Sequence, residues 1–215
     1  MGPGAGARAG VLVGGLLVAV LVLTRPEAER VQPGPTRASA EAFLAAWRLS
    51  RTATFVTAGT YTRIVDGRPA LAAATRTAQR PPDRLVSGAG SIQGRIDGRR
   101  LGCALATGGA ASCRQGESVG PYGDAVDDEL SILVSQVLGP GRLYDVSDDG
   151  PGCFALRLGR AIAGPPYGQQ ARFCFDATSG AMVASRIDRG RAVDVVEVGE
   201  VRVDVTDADL RPPTG

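Results

Sequence analysis

The stretch LGCALATGGAASC, from Leu101 to Cys113, places two cysteines ten positions apart around a Gly-Gly pair. If residues 107–109 form a three-residue hairpin loop with glycine in the left-handed position, Ala106 faces Ala110. Three residues further back, Cys103 then directly faces Cys113 on the neighbouring strand. Directly opposed residues of antiparallel strands lie within disulfide range. The stretch therefore predicts a disulfide-linked β-hairpin, and with it an antiparallel sheet.

The other two cysteines, Cys153 and Cys174, suggest a second linked hairpin. The segments CFALRLGR and ARFCFD are joined by a loop centred on AGPPYG, which brings Cys153 opposite Cys174. Four cysteines allow three connectivities, and the hairpin register favours the two local ones, with buried free thiols as the alternative. The spacings lack the close pairs of a zinc ribbon, and no histidine is present to activate a catalytic thiol. Two disulfides indicate an oxidising compartment, so we expect the domain outside the cytoplasm.

The composition removes several kinds of chemistry. All 24 basic residues are arginine, and the 215-residue chain has no lysine, histidine or asparagine. A Walker phosphate loop, a lysine Schiff base, a Ser-Lys dyad and a histidine general base are therefore excluded. The net charge of +2 arises from interspersed basic and acidic residues, so nucleic-acid binding is not indicated. We interpret the chain as a non-enzyme and expect no catalytic residue, metal or cofactor.

The N-terminus carries an uncharged run, AGVLVGGLLVAVLVL, from Ala9 to Leu23. As a helix it is about 22 Å long, which suits a signal-peptide core and also a membrane span with snorkelling arginines at its ends. Neither the small residues of a cleavage site nor a lipoprotein cysteine follows directly, which favours an uncleaved anchor over a cleaved signal peptide. The predicted organisation is a cytoplasmic N-terminus at 1–8, a transmembrane signal anchor at 9–24, a linker at 25–37 and an extracytoplasmic domain at 38–213.

Two helices and about nine strands are predicted in that domain. The segment from Ser39 to Leu49 places Phe43 and Trp47 four positions apart, on one face of a helix. The segment from Asp124 to Leu138 has apolar residues at helical spacing, acidic residues in its first turn and a Gly-Pro-Gly end. The remaining segments read as strands separated by Asp-Gly and other turns, five before the second helix and four after it. The predicted fold class is α+β, with two helices on one face of an antiparallel sheet.

Several segments share a pattern with a known superfamily. They are the helix with Phe43 and Trp47, QRPPDRLV (Gln79 to Val86), GSIQGRIDGRRL, FDATSGAMVASRID and VRVDVTDADLRPP. Over roughly Ala38 to Pro213, this order resembles the LolA-like (lipoprotein-carrier-like) superfamily. The resemblance implies a strongly curved antiparallel sheet, an incomplete barrel whose concave face is covered by helices. Relatives hold acyl chains in the cavity or use the same shell in envelope-stress sensing, and no residue-specific functional motif transfers.

On this resemblance we expect an apolar ligand, a lipid or lipoprotein acyl chain, bound close to the membrane to which the N-terminal helix attaches the protein. The alternative is an envelope sensor or protein-interaction module, its partner unknown, with the same shell around a filled core. Packed and cavity-lining residues have the same periodicity, and the small residues from Ala70 to Ala78 are the one hint of an unfilled volume. The candidate cavity-lining residues are Phe43, Trp47, Leu130, Leu133, Val134 and Val137.

Overall fold

The computed structural model describes residues 34–105 and 111–212. The predicted signal anchor at 9–24, most of the linker and the hairpin loop at 106–110 lie outside these residues. In the described part, no helix combines the length and the apolar character that crossing a membrane requires.

The described residues form two helices and eleven strands. The helices are α1 (Arg37–Thr52) and α2 (Tyr122–Val137). The strands are β1 (Phe55–Val65), β2 (Arg68–Arg80), β3 (Asp83–Gly88), β4 (Ser91–Ile96), β5 (Arg99–Leu105), β6 (Ala111–Ser118), β7 (Tyr144–Asp148), β8 (Cys153–Leu158), β9 (Gln170–Phe175), β10 (Met182–Asp188) and β11 (Ala192–Arg202).

All eleven strands belong to one antiparallel sheet, in the order β6-β5-β4-β3-β2-β1-β11-β10-β9-β8-β7. The chain runs outward from β1 to β6, continues through α2 to the opposite edge at β7, and returns strand by strand to β11, which pairs with β1. The sheet is thus two meanders joined along β1 and β11, and it is open at β6 and β7.

Short turns set the register of the first meander. Asp66-Gly67, Ala89-Gly90 and Asp97-Gly98 each have positive φ at both residues. This is the backbone pattern of two-residue hairpin turns whose twist matches that of the flanking strands. Each turn therefore determines which residues of the next strand pair with those of the preceding one.

The expected number of about nine strands is too low by two, for two local reasons. The sequence pattern predicts one strand from Arg84 to the Asp97-Gly98 turn, but the turn at Ala89-Gly90 divides this segment into β3 and β4. Alanine has no preference for the positive φ of 48° that it adopts there, so the sequence carries little turn signal. Strand β7 is the second strand missing from the expected number, because the acidic residues of its segment resemble those of a solvated turn.

The two predicted disulfides are confirmed. Cys103 pairs with Cys113 across β5 and β6, and Cys153 pairs with Cys174 across β8 and β9. In both cases the Cα atoms are 4.0 Å apart and the residues are direct cross-strand neighbours. Because disulfides persist in oxidising compartments, these two indicate an extracytoplasmic domain.

Both helices pack on the same face of the sheet. Phe43 of α1 and Leu133 of α2 share a buried cluster with Phe154 and Phe173 of β8 and β9. At the other half of the sheet, the Gln79 side chain of β2 donates hydrogen bonds to the carbonyls of Ser50 and Ala53, at 3.1 and 2.7 Å. Strands that lie far apart in the sheet order thus reach the same helices, because the sheet curves around them.

The C-terminal segment lies on the opposite, outer face. Leu210 packs there against Val56 and Ala78, while Asp209 forms ion pairs with Arg76 and Arg202. This segment closes the apolar patch that the central strands leave on their outer side.

Candidate functional site

The six predicted cavity-lining residues occupy two environments. Phe43, Trp47, Leu130, Leu133 and Val137 are buried, whereas the Val134 side chain is 42% exposed. Val134 follows Leu133 by one residue, so it is turned by about 100° away from the buried stripe of α2. The ring centroid of Phe43 lies 5.5 Å from that of Trp47 and 5.7 Å from that of Phe154, in the edge-to-face contacts of a packed aromatic core. A ligand contact by these six residues stays a prediction.

An open space lies beside this core, between α2 and the β3–β4 hairpin. Its volume is about 500 Å³, and Val126 belongs both to its wall and to the packed core. The wall combines apolar and charged side chains. It is formed by Arg51, Arg84, Val86, Gln93, Gly94, Arg95, Tyr122, Ala125, Val126 and Glu129.

A wider, more open space of about 1150 Å³ adjoins the first, toward β5, β6 and the start of α2. The two spaces share Gln93, Gly94, Arg95, Tyr122 and Ala125 as wall residues. We call them together the arginine groove. It lies along β3 to β6 and not at Ala70–Ala78, a segment whose first residues are largely exposed.

The β3–β4 register places the charged wall of the groove. The turn at Ala89-Gly90 puts Arg84 opposite Arg95 and Val86 opposite Gln93. Because side chains alternate across a strand, these four residues share the face that carries the helices. Leu85, between Arg84 and Val86, points to the outer face instead, where it packs with Ile92 and Cys103.

Arg84 and Arg95 are the unusual members of the groove. The Nε atoms of both are buried without a hydrogen-bond partner among the described residues, and neither side chain forms an ion pair there. Arg95 lies over the ring of Tyr122, at 5.6 Å from its centroid. Burial, with repulsion from Arg51, lowers the pKa of the Arg84 guanidinium to about 10. The charge on Arg84 is thus poorly compensated within the described domain.

Arg51, in contrast, is fully engaged. It forms an ion pair with Glu129 at 2.8 Å, and the Trp47 indole N–H donates to the same carboxylate at 2.9 Å. Burial raises the pKa of Glu129, but the hydrogen bonds and charge of Arg51 outweigh it, so the pKa lies below its usual value. The Tyr122 hydroxyl donates to the Arg51 carbonyl at 2.6 Å. This cluster fixes α1 against α2 at the inner end of the groove and forms no ion pair with Arg84 or Arg95.

Arg84, Arg95 and Tyr122 were not predicted as site residues from the sequence, although one signal was present. A two-residue turn at 89–90 pairs any two residues whose numbers sum to 179, and this includes Arg84 with Arg95. Placing two like charges opposite each other is unfavourable unless something else compensates them. Elsewhere, no group of His, Cys, Asp or Glu in the described ranges is arranged to hold a metal ion.

Comparison with known proteins gives similarity to solved structures only. No family model matches the chain, and no curated protein matches it either. MucB matches over 83% of this chain and 64% of its own, at 15% identity and a TM-score of 0.47. LprF from Mycobacterium bovis matches over 85% of this chain and its whole length, at 12% identity and a TM-score of 0.41.

A LolA superfamily protein from Nitrosomonas europaea matches over 80% of this chain and 97% of its own, at 7% identity and a TM-score of 0.33. A LolA superfamily protein is thus among the solved structures to which this chain is similar. The chain spans less than two thirds of the MucB chain that it matches. At these identities the likeness concerns the fold, and no ligand or partner follows from it.

Proposed function

We propose that this protein is a membrane-anchored, extracytoplasmic, non-catalytic domain that binds the acyl chain of a lipid or lipoprotein in the arginine groove. The observation that carries the proposal is the space of about 500 Å³ between α2 and the β3–β4 hairpin. Its size lies within the roughly 300–1,000 Å³ typical of small-molecule sites. Val86 and Val126 supply apolar wall next to the aromatic core, which suits a hydrocarbon chain.

Filling the groove tests this proposal. Ala125 lines both parts of the groove, so Ala125→Trp should occupy the space that a chain needs. Ile132→Trp is the matched control, because Ile132 lies on the same helix with its side chain 60% exposed. We expect native mass spectrometry of delipidated protein to show bound oleate for the parent and the control, and at least tenfold weaker binding for Ala125→Trp. Equal binding by all three proteins, or none by the parent, would contradict the proposal.

The anchor is part of the same proposal. We place the cytoplasmic N-terminus at 1–8, the transmembrane anchor at 9–24, the linker at 25–37 and the binding domain at 38–213. The uncharged run supports the anchor, and the two disulfides support a domain on the outer side. Protein from membranes should resist carbonate extraction and retain the residues before Arg25. A mature N-terminus mapped between about residues 26 and 41 would instead indicate a secreted protein.

The second candidate function, an envelope sensor or protein-interaction module, is supported by the edge strand β6. Among the strands that the structure describes, β6 pairs only with β5, and the residues from Ser112 to Ser118 are exposed. An edge strand offers unpaired backbone groups to which a partner can add a strand. A photo-crosslinker at Glu117 should then give one discrete protein adduct in membranes, and a crosslinker at Arg157 on the opposite half should not. Identical adduct patterns from the two positions would remove this candidate.

A further inference from the structure

We infer that the groove selects an amphiphile with an anionic head group, a carboxylate or phosphate, which Arg84 and Arg95 bind together. This inference rests on the proposed function, because it assigns the head group of the ligand whose chain occupies the same groove.

The first support is the pairing of the two arginines. They are direct neighbours on adjacent antiparallel strands, where side chains on one face lie about 5 Å apart at Cβ and like charges repel. Burying a charge is unfavourable unless a partner compensates it. The Nε atoms of Arg84 and Arg95 are both buried without a hydrogen-bond partner in the described part of the chain. An anion between the two guanidinium groups would compensate both charges at once.

The second support is that Glu129 and Asp83 already have other partners, while Asp124 and Asp128 line the wider space and not the inner one that Arg84 borders. Glu129 is the acidic residue on the wall of the inner space, and its oxygens already accept from Arg51 and Trp47. Asp83, adjacent to Arg84, accepts a hydrogen bond from the Asp97 backbone at 2.9 Å. The lowered pKa of Arg84 is consistent with this shortage of negative charge. The compensating anion would therefore come from a ligand.

The third support is the kind of wall around the pair. A guanidinium group presents a planar fork of N–H donors that matches a carboxylate or phosphate. Val86 follows Arg84 by two residues on the same strand face, and Val126 of α2 lines the same space. Charged and apolar contacts thus lie within one space. This combination fits an amphiphile better than a free anion or a neutral hydrocarbon.

The test compares ligands that share a chain but differ in head group. Binding of oleate, monooleoyl lysophosphatidate, monooleoylglycerol and inorganic phosphate is measured by calorimetry on delipidated protein. We expect the two anionic lipids to bind at least about tenfold more tightly than monooleoylglycerol. Arg84→Gln and Arg95→Gln should each abolish most of that preference while binding of monooleoylglycerol stays unchanged. Arg68→Gln, which removes an exposed charge far along β2, should change nothing.

The outcomes separate the inference from the proposed function. If monooleoylglycerol binds as tightly as oleate and neither variant matters, the head-group inference is wrong while acyl-chain binding stands. If none of the oleoyl lipids binds, the proposed function itself fails, and the inference with it. If inorganic phosphate binds as tightly as lysophosphatidate, the arginines form a free-anion site, and the assignment to a lipid head group is overturned.

Discussion

Replacing Arg84 with methionine should stabilise the ligand-free protein. Methionine keeps a long unbranched side chain in the groove wall but removes a partly buried charge for which the described domain offers no ion-pair partner. Most substitutions in a folded domain are destabilising, so a gain here would be unusual. Such a gain in stability would indicate that the charge of Arg84 serves ligand binding and does not stabilise the fold.

The magnitude follows from the pKa of Arg84. Lowering it from its ordinary value to about 10 means that the folded state holds the proton less tightly than the unfolded chain does. At 1.36 kcal/mol for each tenfold change, this corresponds to a cost of about 3 kcal/mol. The side chain is partly exposed, and solvent screening reduces the figure, so we expect a gain of about 1–2 kcal/mol. Because the folded pKa is depressed, this cost is fully present below about pH 10 and disappears as the pH rises further toward the ordinary pKa of arginine.

The assay is urea unfolding of delipidated protein at pH 7, with Arg68→Met as the control at an exposed site. In a thermal scan the expected gain corresponds to a Tm increase of about 2–8 °C. Adding oleate should raise the Tm of Arg84→Met less than that of the parent, because a more weakly bound ligand stabilises the folded state less. A loss of more than about 1 kcal/mol for Arg84→Met would refute the reasoning, since it would show that the charge is compensated in the folded protein.

Three further predictions concern the scaffold. Removing the first disulfide with Cys103→Ser and Cys113→Ser should lower the free energy of unfolding by about 3 kcal/mol, because the denatured chain regains the entropy of its loop. An unchanged midpoint of urea unfolding would contradict this prediction. Leu133→Asp should lower the free energy of unfolding by several kcal/mol, because it buries an unpaired carboxylate in the helix–sheet core. Val134→Asp, on the exposed side of the same helix, should change it by less than about 1 kcal/mol in the same urea titration. Hydrogen bonds from Thr206 and the charge of Arg202 hold the pKa of Asp209 far below its usual value, so the stability it provides is present above about pH 4 and is lost below it. Asp209→Asn should flatten this acid dependence in a pH series of thermal scans, and an identical acid profile for parent and variant would show that Asp209 does not cause it.

Local sequence determined the hairpins, the helices and the cross-links of this protein. The Asp66-Gly67 and Asp97-Gly98 turns, the helical spacing of Leu130 and Leu133 and the opposition of Cys103 and Cys113 all depend on residues close together in the chain. Such features follow from backbone preference and side-chain periodicity, and they were predicted correctly. The split between β3 and β4 was overlooked because Ala89 adopts its positive φ without being a residue that favours it.

Only the tertiary structure decided which apolar residues form packed core and where space remains. Phe43 and Val126 each belong to the apolar stripe of a helix. Phe43 nevertheless lies among aromatic rings, while Val126 also borders an open groove. The difference arises because α2 lies between two halves of a curved sheet that are distant in the chain. Arg84 interacts electrostatically with Tyr122 and Glu129 for the same reason, because the curved sheet brings β3 close to α2. Periodicity indicates which face of an element is buried, but only the packing of distant elements determines what that face meets.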